Sequence, residues 1–214
     1  MPFNLSATVN ILRTLKNPAL LYPQCTISTF DQLPVPVSKA FVGAAGEKEP
    51  DIRAVILDKD NCFSIPHELE VYPAYRETFE RLKKEYPGNR LLIVSNSAGT
   101  WDDPGNKEAD LLEKNTGVKV LRHATKKPGC YNEIFEFLKK SPDTGVTRPD
   151  QIAVVGDRLA TDVLMANMMG SWAVWVKDGP RPANEKLYGK IEAGIKGMLE
   201  RRGWEPPVPS SRTL

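Results

Sequence analysis

The stretch Ala54-Val55-Ile56-Leu57-Asp58-Lys59-Asp60-Asn61 decides the fold. Four consecutive apolar residues read as a strand buried on both faces, and such strands belong to parallel sheets covered by helices. The same kind of text returns downstream. Leu91-Leu92-Ile93-Val94 and Ile152-Ala153-Val154-Val155 are further buried strands, with shorter ones expected over 118–121 and 172–176. Between them, 73–86, about 107–115, 129–140 and 159–168 read as helices, the first with proline in its opening turn; 184–202 reads as the last. Strands alternating with helices predict one α/β domain, a parallel sheet between helix layers.

Outward from this core the text is less regular. Residues 31–50 are rich in proline, alanine and glycine and read as a connector. The first thirty residues hold Arg13 and Lys16 but no acidic residue, and Leu5, Val9, Leu12 and Leu15 recur at helical spacing before Pro18. That stretch suits a helix packed on the core or between subunits of a homo-oligomer, a membrane-surface helix, or a targeting remnant. The proline-rich end, 204–214, reads as a flexible tail. Across 214 residues the net charge is +2, too balanced for broad nucleic-acid wrapping. No apolar run approaches the roughly 20 residues of a spanning helix. Three cysteines without CxxC spacing indicate neither a disulfide framework nor a zinc site, and fit a reducing compartment.

In open α/β sheets ligands bind beyond the carboxyl ends of the strands. Here those ends carry Asp58-Lys59-Asp60-Asn61, then Ser95-Asn96-Ser97, then Lys126-Lys127-Pro128, then Gly156-Asp157-Arg158 with Asp162 five residues after Asp157. Each alone is readable as a turn, a cap or a surface dipeptide. Together, in order and each after an apolar strand, they point to phosphoryl transfer. Converging carboxylates repel unless a hard cation neutralises them, and an all-oxygen set selects Mg²⁺. A lysine and a hydroxyl opposite supply a charge and a donor for phosphate oxygens, and a carboxylate can attack phosphorus.

These four segments resemble the four motifs of the haloacid dehalogenase superfamily of phosphatases over 52–176. More narrowly, Asp58-Lys59-Asp60-Asn61-Cys62 and Gly156-Asp157-Arg158 through Thr161-Asp162 resemble the fungal and plant-type mitochondrial phosphatidylglycerophosphate phosphatases. The resemblance implies a Rossmann-like core over 51–203, preceded by a membrane-contacting segment and linker over 1–50. It implies Asp58 as nucleophile, Asp60 as general acid and then base, and Ser95 and Lys127 holding the phosphoryl oxygens. Mg²⁺ would be bound by Asp58, Asp157 and the backbone carbonyl of Asp60, with Asp162 supporting the metal waters or orienting Lys127. Asn96 and Asn61 either bond within the site or shape turns. Cys62 stands where most superfamily members carry Thr or Val; without a partner histidine or a following phosphate loop, it is not read as a nucleophile. The implied setting is the matrix side of the mitochondrial inner membrane, bound peripherally, in the synthesis of cardiolipin.

Neither the 60–95 gap nor the 95–127 gap has room for an additional covering domain, so the site is expected to be capless and open. Open sites suit phosphates borne on something large: a lipid in a bilayer, a protein or a nucleic-acid end. Arg122, His123, Lys126, Lys127 and Arg158 are expected around the mouth, and Trp101 either lines the entrance or packs. Alternatives from other classes are a soluble phosphatase for a nucleic-acid end or a small ester, a signalling receiver domain, and an inactive binding module. A receiver places its lysine after the strand aspartates, whereas Lys127 precedes Asp157; and every catalytic position of the motifs is filled.

Overall fold

The computed structural model describes residues 14–44, 49–181 and 187–209. Its sheet has six parallel strands: β1 (Cys25–Ile27), β2 (Ala54–Leu57), β3 (Leu91–Ile93), β4 (Lys119–Val120), β5 (Ile152–Gly156) and β6 (Trp172–Val176), in the order β1-β6-β5-β2-β3-β4. The helices are α1 (Arg76–Glu85), α2 (Lys107–Thr116), α3 (Tyr131–Lys140), α4 (Leu164–Met169) and α5 (Leu187–Arg201). The expected α/β architecture is therefore present. No covering domain interrupts β2 to β3 or β3 to β4, where α1 and α2 respectively are the principal elements.

Alternation within the strands divides the core in two. Val55, Leu57, Leu91, Ile93, Ala153, Val155, Trp172 and Val174 face one layer with Phe79, Leu82, Ala109 and Leu112 of α1 and α2. Ala54, Ile56, Leu92, Ile152, Val154, Ala173 and Trp175 face the other, with Ile134 and Leu138 of α3 and Met165 and Met169 of α4. At roughly 25 cal/mol per Å² of apolar surface, this two-sided burial is the main force holding the layers together.

The structure corrects the division at residue 50. Cys25–Ile27 pairs in parallel with β6, Cys25 opposite Val174 and Ile27 opposite Val176. Short 3₁₀ turns over Phe30–Gln32 and Val37–Phe41 then bury Phe30, Leu33, Val37 and Phe41 in the α1/α2 layer. Phe41 stacks on Trp172 with ring centroids 4.8 Å apart. Residues 18–41 are thus sheet and core, not linker. The tail is also anchored over its described part: Gln24 Nε2 donates to Pro207 O at 2.7 Å, and Trp204 N–H to Leu199 O at 3.0 Å. Of the amphipathic N-terminal pattern, Leu5, Val9, Leu12 and Arg13 lie outside the described residues; Leu15 is 75 % exposed.

Chain direction explains where the site falls. From β2 the chain winds outward through β3 and β4, then returns to lay β5 against the other side of β2 and continues to β6. The reversal lies between β2 and β5, so their carboxyl ends flank the crevice where such sheets bind ligands.

Candidate active site

Leu57 is paired with Val155, and Asp58 N–H donates to Val155 O at 2.9 Å. That register sets Asp58, one residue beyond β2, beside Asp157, one residue beyond β5. Asp162 comes back to them from a single π-helical turn, Leu159–Val163, that opens the helix expected over 159–168 and runs directly into α4. Gly156 makes this return possible: a Cβ there would lie 2.3 Å from Asp162 Cγ. One carboxylate oxygen each from Asp58, Asp157 and Asp162 fall within 4.8 Å of one another, and all three residues are buried.

Lys127 enters the same group. Its Nζ donates to Asp58 Oδ1 at 2.5 Å and to Asp162 Oδ1 at 2.7 Å. Asn96 Oδ1 accepts the Lys127 main-chain N–H at 2.7 Å, so the loop after β3 holds the loop that carries the lysine. Asn96 also lines the cleft, a space of about 210 Å³ bordered with Asp58, Asp60, Lys127, Asp157 and Arg158. Burial pushes Asp58 up; Lys127 pulls it down, while Asp162, Asp157 and Asp60 push it further up, and the balance is about 8. Burial disfavours the Lys127 ammonium, but Asp162 and Asp58 outweigh it and hold the pKa above the ordinary lysine range. One ammonium among three buried carboxylates leaves excess negative charge. An all-oxygen group of this size fits a divalent cation, which would stabilise Asp58 in its ionised form.

The other expected residues are distributed less simply. Asp60 Oδ1 accepts from Lys59 Nζ at 2.6 Å and His67 N–H at 2.8 Å, and Oδ2 accepts from Ser97 Oγ at 3.4 Å. Asp60 thus borders the cleft without joining the three-carboxylate group. Ser95 is fully buried, its hydroxyl 3.0 Å from Ser97 Oγ and accepting the Ser97 N–H at 3.2 Å. The expected basic rim is corrected in two places. Arg122 pairs with Asp110 and Glu113 of α2. His123 is buried, its nitrogens 2.9 Å from Ser95 O and 2.7 Å from Thr125 O, a strut between two loops. Burial lowers its pKa, so the ring adds no rim charge at neutral pH. Lys126 pairs with Asp102 and lies 4.3 Å from the ring centroid of Trp101, which is 59 % exposed. Cys62 packs in the core, where burial pushes the thiol well up.

Sequence reasoning missed His67 and Pro66, which also line the cleft, and gave no role to Thr161 of the last motif, which lines it too. His67 was legible only as one of two histidines, in a loop with no strand end to flag it. Asn61 donates from Nδ2 to Asp157 Oδ2 at 3.1 Å with φ at 58°, so it both bonds within the site and shapes a turn.

A parallel α/β sheet with this carboxylate–lysine group at its switch point defines a phosphatase core of the haloacid dehalogenase type. The model of the mitochondrial PGP phosphatase family matches residues 5–181, and the chain belongs to that family. It is 47 % identical over 196 residues to phosphatidylglycerophosphatase GEP4, mitochondrial, of Saccharomyces cerevisiae, covering 92 % of this chain and 98 % of that protein. The probable phosphatidylglycerophosphatase, mitochondrial, of Schizosaccharomyces pombe is 34 % identical over 213 residues, covering 99 % of each. Phosphatidylglycerophosphate phosphatase 1, chloroplastic, of Chlamydomonas reinhardtii is 37 % identical over 149 residues, 68 % of this chain and 51 % of that one. No solved structure matches.

Proposed function

We propose that the chain hydrolyses the phosphomonoester of phosphatidylglycerophosphate to phosphatidylglycerol and orthophosphate, in mitochondria. The observation that carries this reading is the convergence of Asp58, Asp157, Asp162 and Lys127 in one cleft at the sheet's carboxyl edge, in a chain of this family. The Asp58 carboxylate attacks phosphorus, forming an O–P bond as the ester P–O bond breaks. Asp60 gives a proton to the departing glycerol oxygen; with Oδ1 occupied by Lys59 and His67, Oδ2 is the oxygen suited to carry it. Asp60 then takes a proton from water, whose oxygen attacks phosphorus and releases Asp58 with orthophosphate. Lys127 holds the phosphoryl oxygens, and Asp162 positions its Nζ. Ser95 and Asn96 complete the phosphate pocket, Asn96 also by holding the lysine loop.

Mg²⁺ held by Asp58, Asp157, Asp162 and the backbone carbonyl of Asp60 would neutralise charge on the phosphoryl oxygens. The open cleft lets a headgroup reach the nucleophile while its acyl chains stay in the bilayer. No helix among the described residues is long and apolar enough to cross a membrane. The proposed placement is peripheral, on the matrix face of the inner membrane, with the N-terminal segment as contact.

The test is phosphate release from phosphatidylglycerophosphate in mixed micelles beside soluble phosphate esters. Lipid substrate should be strongly preferred; EDTA should abolish turnover, Mg²⁺ restore it and Ca²⁺ fail to, because its larger, looser shell spoils the attack geometry. Asp58→Asn should lose at least about 10³-fold. Equal activity on soluble esters would favour a soluble phosphatase, and an Asp58→Asn protein retaining a tenth of activity would remove Asp58 as nucleophile.

A further inference from the structure

Asn61 is 3 % exposed and lies between the proposed general acid and a core cysteine. Its left-handed backbone would suit glycine as well as asparagine, so conformation alone does not require an amide there. The surroundings give the amide a definite orientation. Arg181 N–H, a group that can only donate, donates to Asn61 Oδ1 at 2.9 Å. With the oxygen committed, Nδ2 faces the opposite way and donates to Asp157 Oδ2 at 3.1 Å. The loop after β6 can come this close because residue 179 is glycine, with φ at +45°: a Cβ there would lie 2.0 Å from Asn61 O and 2.4 Å from Nδ2. Asp157 is held from a second side, its carbonyl accepting Trp175 Nε1–H at 2.9 Å.

We infer that Asn61 is a positioning residue for the metal site: its amide, oriented by the main chain of the loop through Gly179 and Arg181, fixes the rotation of the Asp157 carboxylate. The inference rests on the reading of Asp157 as a metal ligand. Partners of ligating carboxylates matter because a carboxylate free to rotate must be ordered when the cation binds, and loss of such a partner typically weakens metal affinity about 10- to 100-fold. Aspartate at 61 would accept from Arg181 equally well but set an oxygen against Asp157 Oδ2, so the site needs the donor.

The test is Asn61→Gly, which keeps the left-handed backbone and deletes the amide. Mn²⁺ affinity is read by electron paramagnetic resonance on the full chain, with metal-free melting curves and Mg²⁺ activation of turnover alongside. The expected result is a Mn²⁺ dissociation constant raised about 10- to 100-fold. The metal-free melting temperature should stay near that of the unaltered protein, and kcat should largely recover at saturating Mg²⁺. Gly179→Ala, which drives a Cβ into Asn61, should weaken Mn²⁺ in the same direction, and it carries the test if Asn61→Gly melts early without metal. Asp157→Asn is the control. If it weakens Mn²⁺ binding while Asn61→Gly, or Gly179→Ala where that variant carries the test, binds within about twofold of the unaltered protein, the inference is overturned alone. If Asp157→Asn binds Mn²⁺ normally, the ligand reading falls and takes the inference with it.

Discussion

Replacing Lys127 with methionine removes one charge from a buried group that holds four, at almost constant volume. Lys127 is 2 % exposed and its Nζ contacts both Asp58, at 2.5 Å, and Asp162, at 2.7 Å. Breaking a buried pair by removing one partner leaves an uncompensated charge and costs about 3–5 kcal/mol. In a chain of this size each kcal/mol moves the melting temperature by about 2–4 °C, so a fall of roughly 6–20 °C is expected at pH 8 without metal. The sign of the pH dependence follows from Asp58. Lys127 is the partner that lowers its pKa, so without it Asp58 rises further above its unfolded value. A carboxylate whose folded pKa is raised binds more protons folded than unfolded, so stability declines as pH rises through that window. The deficit of Lys127→Met should therefore change little below about pH 7, where Asp58 is protonated with or without the lysine, and be larger at pH 9 than at pH 6; Mg²⁺ should narrow it by supplying the missing charge. Turnover should be lost under all these conditions. Thermal melts at pH 6, 8 and 9, with and without Mg²⁺, decide the matter. A variant melting within 2 °C of the unaltered protein at pH 8 without metal would show that the lysine is not the counter-charge described.

Asp60→Asn should slow release of an alcohol leaving group far more than release of nitrophenol, whose anion needs little protonation; equal losses on the two substrates would remove Asp60 as proton donor. Glu192 of α5 is buried and accepts the Leu159 N–H at 2.9 Å, and burial pushes its pKa up to about 7. Its folded pKa being raised, its contribution is full at low pH and lost as pH climbs through about 7. Glu192→Gln should flatten that part of the stability curve and stabilise at pH 8; an unchanged curve in pH-dependent melts would refute this. Deleting residues 1–13 should weaken flotation with anionic liposomes and leave a soluble ester untouched, whereas deleting 1–30 should unfold the chain, because it strips β1 and Phe30 from the core. A folded, active 31–214 fragment would contradict the role given to β1.

By itself the sequence determined the sheet's central strands and the order of the site segments. Parallel strands buried on both faces must be written as uninterrupted apolar runs, and Ala54–Leu57, Leu91–Ile93 and Ile152–Gly156 stand out for that reason. The polar residues of the site are legible because they begin where those runs stop. Edge strand β1 was not legible, since Cys25-Thr26-Ile27 is short and only partly buried, and short edge strands carry little pattern. The proline-rich connector concealed a core segment; the spacing of four between Leu33, Val37 and Phe41 was the available signal. Tertiary structure alone decided which way the basic residues face: Arg122 turns to α2, His123 is buried as a strut, and Lys127 enters the acidic group. It alone also joined Asn61 to Arg181 and Asp157, residues 120 and 96 positions away. Local pattern reports how each segment meets water, but a side chain's partner is set by which loops the sheet order brings to one edge, and that order follows from packing the whole chain.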